Sequence, residues 1–227
     1  QISNYKSKNR VLIFEIVFME ERNIILNTKL SKIKNQAEVI IPTKYGNFRT
    51  IAFASDSNEK MPHMVLIHPD TNMSEIVNVR IHSECMTGDV FHSYRCECGE
   101  QLDWAMKYIQ EHTGVVIYLR QEGRGIGIIN KLHAYIKQDE GYDTAQANKE
   151  LGYGYDERTY EDAIAILTQL GIHKISLLTN NPDKIIAFED SDINVFSRIS
   201  VEIEPREENK KYLETKKDFF QHKLGKV

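Results

Sequence analysis

The three cysteines of this 227-residue chain, Cys85, Cys96 and Cys98, fall within one stretch of fourteen residues. Thiolates gathered this way are ligands for a soft or borderline metal, zinc first among them. Their number matters. A closed structural zinc takes four protein ligands, whereas a catalytic zinc has three and keeps one position for water. Two other readings fit the spacing. The thiols could be packed as small hydrophobes, or His82 or His92 could complete a four-ligand structural site. A Cys96–Cys98 disulfide is disfavoured by the strain of a one-residue spacer. The pattern is not the paired C-x-x-C of common zinc modules.

A second segment with chemical content is Tyr118-Leu-Arg120-Gln-Glu122-Gly123-Arg124-Gly125-Ile-Gly127, followed closely by Lys131. Glycines let backbone N–H groups approach a phosphate, and a following helix N-terminus adds partial positive charge. Arg120, Arg124 and Lys131 supply full charges. A tight structural turn is the alternative, since the spacing is neither a Walker loop nor a clean dinucleotide fingerprint. Asp156 and Arg158 sit in a Gly- and Tyr-rich stretch where a helix cap beside a surface charge is the plain alternative. Leu177-Leu-Thr179-Asn-Asn-Pro182-Asp-Lys184 crowds polar groups at the end of an apolar run. Ligands often bind at such strand ends, though an ordinary Asn/Pro turn would read the same way.

These groups need strands and helices to hold them. Apolar runs predict strands at Glu38–Pro42, Gly46–Phe53, Met64–His68, Ile76–Ile81, Gly114–Arg120 and Lys174–Thr179. Helical spacing covers Gly99–His112, Ile128–Gln138, Thr144–Leu151, Thr159–Leu170 before Gly171, and Asp183–Phe188 after Pro182. The expected fold is α+β: a mixed, β-rich core with flanking helices, forming a single zinc-containing catalytic domain over residues 37–227. Residues 1–36 carry no motif and read as an extension of unknown role, with Met19 as one candidate for native translation start.

Composition narrows the function classes. The chain is 41% hydrophobic and 27% charged, ordinary for a globular protein. A net charge of −4 gives no chain-wide basic footprint, so no nucleic-acid partner is expected. The apolar run Val11–Phe18 is interrupted by Glu15 and too short for a membrane span, and no signal-peptide cleavage site follows it. Clustered, odd-numbered cysteines fit a reducing, cytoplasmic setting better than a disulfide scaffold.

Together the segments resemble GTP cyclohydrolase II over about residues 37–224. The runs that carry the resemblance are Val79–Asp89, Arg95–Asp103, Tyr118–Gly127, Gln138–Asn148, Asp156-Glu-Arg158 and Leu177–Pro182, with Tyr212–Lys216 and His222-Lys-Leu224 near the end. The resemblance implies hydrolysis of GTP to formate, pyrophosphate and a 2,5-diamino-6-ribosylamino-pyrimidinone 5′-phosphate, the opening step of riboflavin biosynthesis. Zinc on Cys85, Cys96 and Cys98 would activate water against C8 of guanine, and Mg²⁺ would accompany the phosphates. It further implies that Arg80, Ile81, His82, Ser83 and Glu84 line the nucleotide site, with Arg80 on phosphate. Gln101, Glu122, Gly123, Arg124, Thr144, Thr179 and Lys184 match further GTP contacts. Asp156 and Arg158 match a proton acceptor and a nucleophile, and Tyr135 a catalytic tyrosine. Transition-state charge stabilisation is the physically safer role for Arg158, because an arginine pKa exceeds about 12. A homodimer is implied as well. The chain departs from the family at His92, often a small residue, and at Tyr94, often non-aromatic; His92 is read as pointing outward. The competing readings are a non-catalytic zinc module, a relative that stops at a formylated pyrimidine, and an inactive paralogue.

Overall fold

A computed structural model describes residues 32–225. The apolar run Val11–Phe18, Met19 and most of the expected 1–36 extension lie outside the described residues. The strands are β1 (Lys34–Thr43), β2 (Gly46–Ala54), β3 (His63–Ile67), β4 (Val77–Ser83), β5 (Val115–Leu119), β6 (Lys174–Leu178) and β7 (Asn194–Ile199). The helices are α1 (Met86–Asp89), α2 (Cys98–His112), α3 (Gly127–Asp139), α4 (Thr144–Glu150), α5 (Glu161–Gln169), α6 (Asp183–Ile186) and α7 (Glu207–Asp218).

The strands form one seven-stranded sheet in the order β1-β2-β3-β5-β4-β6-β7. β1, β2, β3 and β5 pair antiparallel in sequence, while β5, β4, β6 and β7 run parallel. The β1–β2 hairpin closes tightly, Thr43 pairing with Gly46. The Thr43 hydroxyl accepts from the Tyr45 N–H at 3.1 Å and donates to the Gly46 carbonyl at 2.8 Å.

The parallel half is covered on both faces, which its sequence anticipates. β5 reads Val-Val-Ile-Tyr-Leu, the near-continuous apolar run of a strand buried on both sides. Alternation sends Val115, Ile117 and Leu119 to one face, where they meet Val79 and Ile81 of β4 and Ala163, Ile166 and Leu167 of α5. Val116 faces the other way and packs with Met106 and Ile109 of α2. The same alternation puts Arg80 and His82 of β4 opposite Val116 and Tyr118, on the α2 side. The carboxyl ends of β4, β5 and β6 share one edge. In open sheets with parallel strands, ligands bind outside that edge.

The structure is mixed α/β, with the sequence-derived strands and helices in place to within a few residues. It adds the single turn α1, β7 and α7, which were not expected. β7 alternates between exposed and half-buried residues at the sheet edge. In α7 the only large apolar residues are Tyr212 and Leu213. Among the described residues no helix is long and apolar enough to cross a membrane.

Candidate active site

The chain leaving β4 turns at Cys85 into the single turn α1, runs through an exposed loop to Cys96, and re-enters order at Cys98, the first residue of α2. This path brings the ligand atoms of the three cysteines within 4.8 Å of one another. Cys85 and Cys96 are buried, and their sulfurs lie 3.7 Å apart. Gly88 explains the tight gathering. A Cβ there would sit 3.0 Å from Cys96 Sγ and 3.2 Å from Cys85 Sγ, so a side chain would fill the space between the sulfurs. The donor set is what zinc prefers, and the cradle fits one ion on Cys85, Cys96 and Cys98. His92 is exposed and stands outside this cluster.

Groups around the thiols hold this geometry. Asp89 accepts from the Cys85 N–H at 2.9 Å and from the Tyr118 hydroxyl at 2.8 Å, and lies 3.1 Å from His82 Nε2. Burial outweighs that carboxylate and lowers the pKa of His82, keeping the ring neutral. Lys131 donates to Cys85 Sγ at 3.0 Å, Thr87 Oγ1 at 2.9 Å and Glu122 Oε1 at 2.9 Å. Hydrogen bonds from Cys96 and Cys98, opposed by burial and aided by Lys131, hold the Cys85 thiol far below its ordinary range. The Cys98 thiol is correspondingly pushed up by its bonds to Cys85 and Cys96.

The thiols form one end of a cleft of about 870 Å³, open mouth included. Arg80, Arg124, Lys131, Arg158, Lys184 and Lys216 line it. Arg80 donates to the Leu178 carbonyl at 3.1 Å and to Gln101 at 2.9 Å, and its Nε has no partner among the described residues. Burial brings its pKa down to about 10. Lys184 donates to the Ile81 carbonyl at 2.6 Å; burial first, then Arg80 and Arg158, force its pKa well below that of an ordinary lysine. Arg158 is gripped by Asp156, Nε donating to Oδ1 at 2.8 Å and Nη2 to Oδ2. Burial opposes the charge on Arg158, but the Asp156 bonds prevail and its pKa rises. The Gly-rich stretch turns through left-handed backbone at Gly123 and Arg124, φ 62° and 60°. Gly125 lies against Glu157, where a Cβ would come within 3.1 Å of the backbone. That close approach ties Arg124 to the loop carrying Asp156 and Arg158.

Most of the expected residues converge on this cleft: Arg80, His82, Ser83, Glu84, Gln101, Glu122, Gly123, Arg124, Tyr135, Arg158, Thr179 and Lys184, with the cysteines. Three stand apart. The Ile81 side chain is in the core, and only its carbonyl reaches Lys184. Asp156 acts through Arg158. Thr144 lines a neighbouring cavity that shares Tyr212 as a wall. Two of the three charges read from the Gly-rich segment are already engaged. Arg120 pairs with Glu84 at 2.9 Å and Lys131 with Glu122, so Arg124 alone of the three is without a carboxylate partner among the described residues. Lys216, Tyr212, Phe220 and His222 also line the cleft and were not picked out as site residues. α7 and the tail bring them in, and only the quoted Tyr212–Lys216 and His222–Leu224 runs hinted at them.

Convergent thiols beside a cation-lined cleft, at the carboxyl edge of parallel strands, are the equipment of a metal-assisted enzyme acting on an anionic small molecule. The chain belongs to the GTP cyclohydrolase II family, whose pattern matches residues 19–200, and it carries that family's enzyme domain. It is 44% identical over 207 residues to the riboflavin biosynthesis protein RibBA of Staphylococcus saprophyticus, covering 91% of this chain and 52% of that one. It is 46% identical over 204 residues to RibBA of Chlorobium phaeovibrioides, covering 89% and 50%. The chain therefore spans about half the length of these curated relatives. Among solved structures, RibBX, a two-domain 3,4-dihydroxy-2-butanone 4-phosphate synthase from A. baumannii, overlays with a TM-score of 0.46 at 17% identity, covering 84% of this chain and 49% of that one. A likeness so slight carries no argument.

Proposed function

We propose that the chain is a zinc-dependent GTP cyclohydrolase II. It would hydrolyse GTP to formate, pyrophosphate and 2,5-diamino-6-(5-phospho-ribosylamino)pyrimidin-4(3H)-one, the first step of riboflavin biosynthesis, with residues 37–227 as the catalytic domain. The observation that supports this most is the placement of three convergent thiols and six cationic side chains on one cleft. A purine at the thiol end and a triphosphate among the cations would satisfy both.

Zinc held by Cys85, Cys96 and Cys98 would supply Lewis acidity and a water acidified by several pK units. The protein's own groups do the rest. His82 and Asp89 fix the loop that carries Cys85. Burial, only partly offset by Lys131, pushes the Tyr135 phenol above its ordinary pKa, so it stays protonated as a donor near the thiols. Arg80, Arg124 and Lys184 receive phosphate. Arg158 is a guanidinium held charged by Asp156, which suits stabilisation of charge developing at the α-phosphate and disfavours nucleophilic attack. Mg²⁺ would be carried by the substrate phosphates, as that ion usually is.

The test is to incubate zinc-loaded protein with GTP and Mg²⁺ and to assay formate and pyrophosphate separately. Equal amounts of both are expected. Pyrophosphate with a formylated pyrimidine and no formate would replace this reading with the single-opening reaction, and neither product would sink it. A homodimer, a cytoplasmic setting and the absence of nucleic-acid partners belong to the same reading; sedimentation tests the first.

A further inference from the structure

The family pattern matches residues 19–200, and the closing run His222-Lys-Leu224 returns the chain to the cleft and places His222 in its wall. The approach is built rather than incidental. Gln221 adopts a φ of 54°, a left-handed conformation uncommon for a residue with a side chain. Hydrogen bonds hold the turn: His222 N–H to the Lys216 carbonyl at 3.0 Å, Lys223 N–H to the Asn180 carbonyl at 2.9 Å, and Gly225 N–H to Glu202 at 2.9 Å. The Lys223 bond fastens the tail to the polar turn that carries Thr179 and Asn181.

The charges facing His222 come from four parts of the fold. They are Lys216 of α7, Lys184 of α6, Arg158 ahead of α5 and Arg124 of the Gly-rich turn. The nearby carboxylates are committed, Asp156 to Arg158 and Glu97 to Lys216 at 2.6 Å. Burial first, and then these four cations, bring the pKa of His222 down to about 2. A ligand carrying several negative charges among the same cations would offset their share of that depression, while burial stays.

We propose that His222 is a proton-coupled contact of the polyphosphate: as the anion enters the cleft, the ring takes one proton from solvent and donates its N–H to a phosphate oxygen. This deepens the GTP reading and rests on it only for the polyphosphate. Between the pKa values of the free and bound forms, each unit fall in pH then strengthens binding by up to about tenfold.

The experiment is calorimetry of the zinc-loaded full chain with inorganic tripolyphosphate, which carries the phosphates and no base. It is run in buffers of different ionisation heat, for wild type and His222→Asn, with GTP titrated in parallel. On binding, the wild type should take up more protons than His222→Asn, the difference approaching one as the pH falls below the free-histidine value of about 6.5. In wild type labelled at histidine, one ring resonance should move from its neutral to its protonated position when tripolyphosphate is added; this reading needs no variant. Equal proton uptake by the two proteins, or an unmoved ring resonance with tripolyphosphate bound, would overturn the proposal. Binding of GTP without binding of tripolyphosphate would overturn it too, while leaving the GTP reading intact. Failure of the wild type to bind either ligand would remove both.

Discussion

Gly88 is a small residue with a large consequence, because the space it leaves is the space between the sulfurs. In Gly88→Ala the new methyl meets Cys96 Sγ and Cys98 Cβ at 3.0 Å each. Either sulfur must move, and zinc–thiolate bonds of about 2.3 Å leave little tolerance. Zinc affinity, measured by competition with a chelator, should fall about tenfold or more while the far-ultraviolet dichroism stays native. Unchanged zinc affinity would mean that the cradle is looser than its distances imply. Arg158 poses a different question at the same scale. As an electrostatic stabiliser, its loss in Arg158→Ala should slow pyrophosphate release about a hundredfold or more, and Arg158→Lys should keep part of the rate. A covalent role predicts that Lys and Ala are equally inactive, which single-turnover measurements would reveal.

Among the elements, α7 does the most that its sequence does not advertise. Its residue Lys216 reaches across to Glu97, between two of the cysteines, and the two side chains are 11% and 3% exposed. Glu97 also accepts from Gln101 at 3.0 Å, and Gln101 accepts from Arg80, so one chain of bonds links helix, thiol loop and central strand. Removing one partner of a buried pair leaves an uncompensated charge and costs about 3–5 kcal/mol. Lys216→Met should destabilise by that amount in urea titration, and adding Glu97→Gln should recover most of the loss. Near-additive losses would show that the two residues act separately. α7 was hard to read because little of its stabilisation is apolar: Leu213 and Asn209 are deeply buried, and most of the remaining residues are charged. β7 escaped for a related reason, being an edge strand with no fully buried residue. The inner strands β4, β5 and β6 were legible because burial on both faces leaves apolar runs, and Gly171 and Pro182 marked helix ends plainly. The site was legible in residue type and less so in partnership. Sequence supplies the sign of Lys131 and Arg120 but not the carboxylates that already hold them, since those partners meet only in the fold.

For the molecule as a whole, the cleft gathers like charges, and not all of them serve the fold as Lys216 does. Lys184 shows the cost most directly, since burial, Arg80 and Arg158 all disfavour its ammonium. Its pKa in the fold lies below the unfolded value of about 10.4, so across that interval the unfolded chain binds more protons and stability rises with pH. Below the interval the full penalty is present. Lys184→Met keeps much of the volume and removes the charge. At pH 7 it should melt at a higher temperature than wild type, and the difference should shrink as the pH is raised toward 10. The same variant should bind GTP more weakly, because the charge that burdens the fold is one the phosphates would use. The opposing effect is the bond from Lys184 to the Ile81 carbonyl at 2.6 Å, which methionine cannot make. Burying a charge against like charges outweighs one neutral acceptor left unpaired, a cost of about 1–3 kcal/mol. A lower melting temperature for Lys184→Met at pH 7 would reverse that ranking and make Lys184 a structural bond first. A higher one with weakened GTP binding would show a site that holds its cations together at the expense of stability.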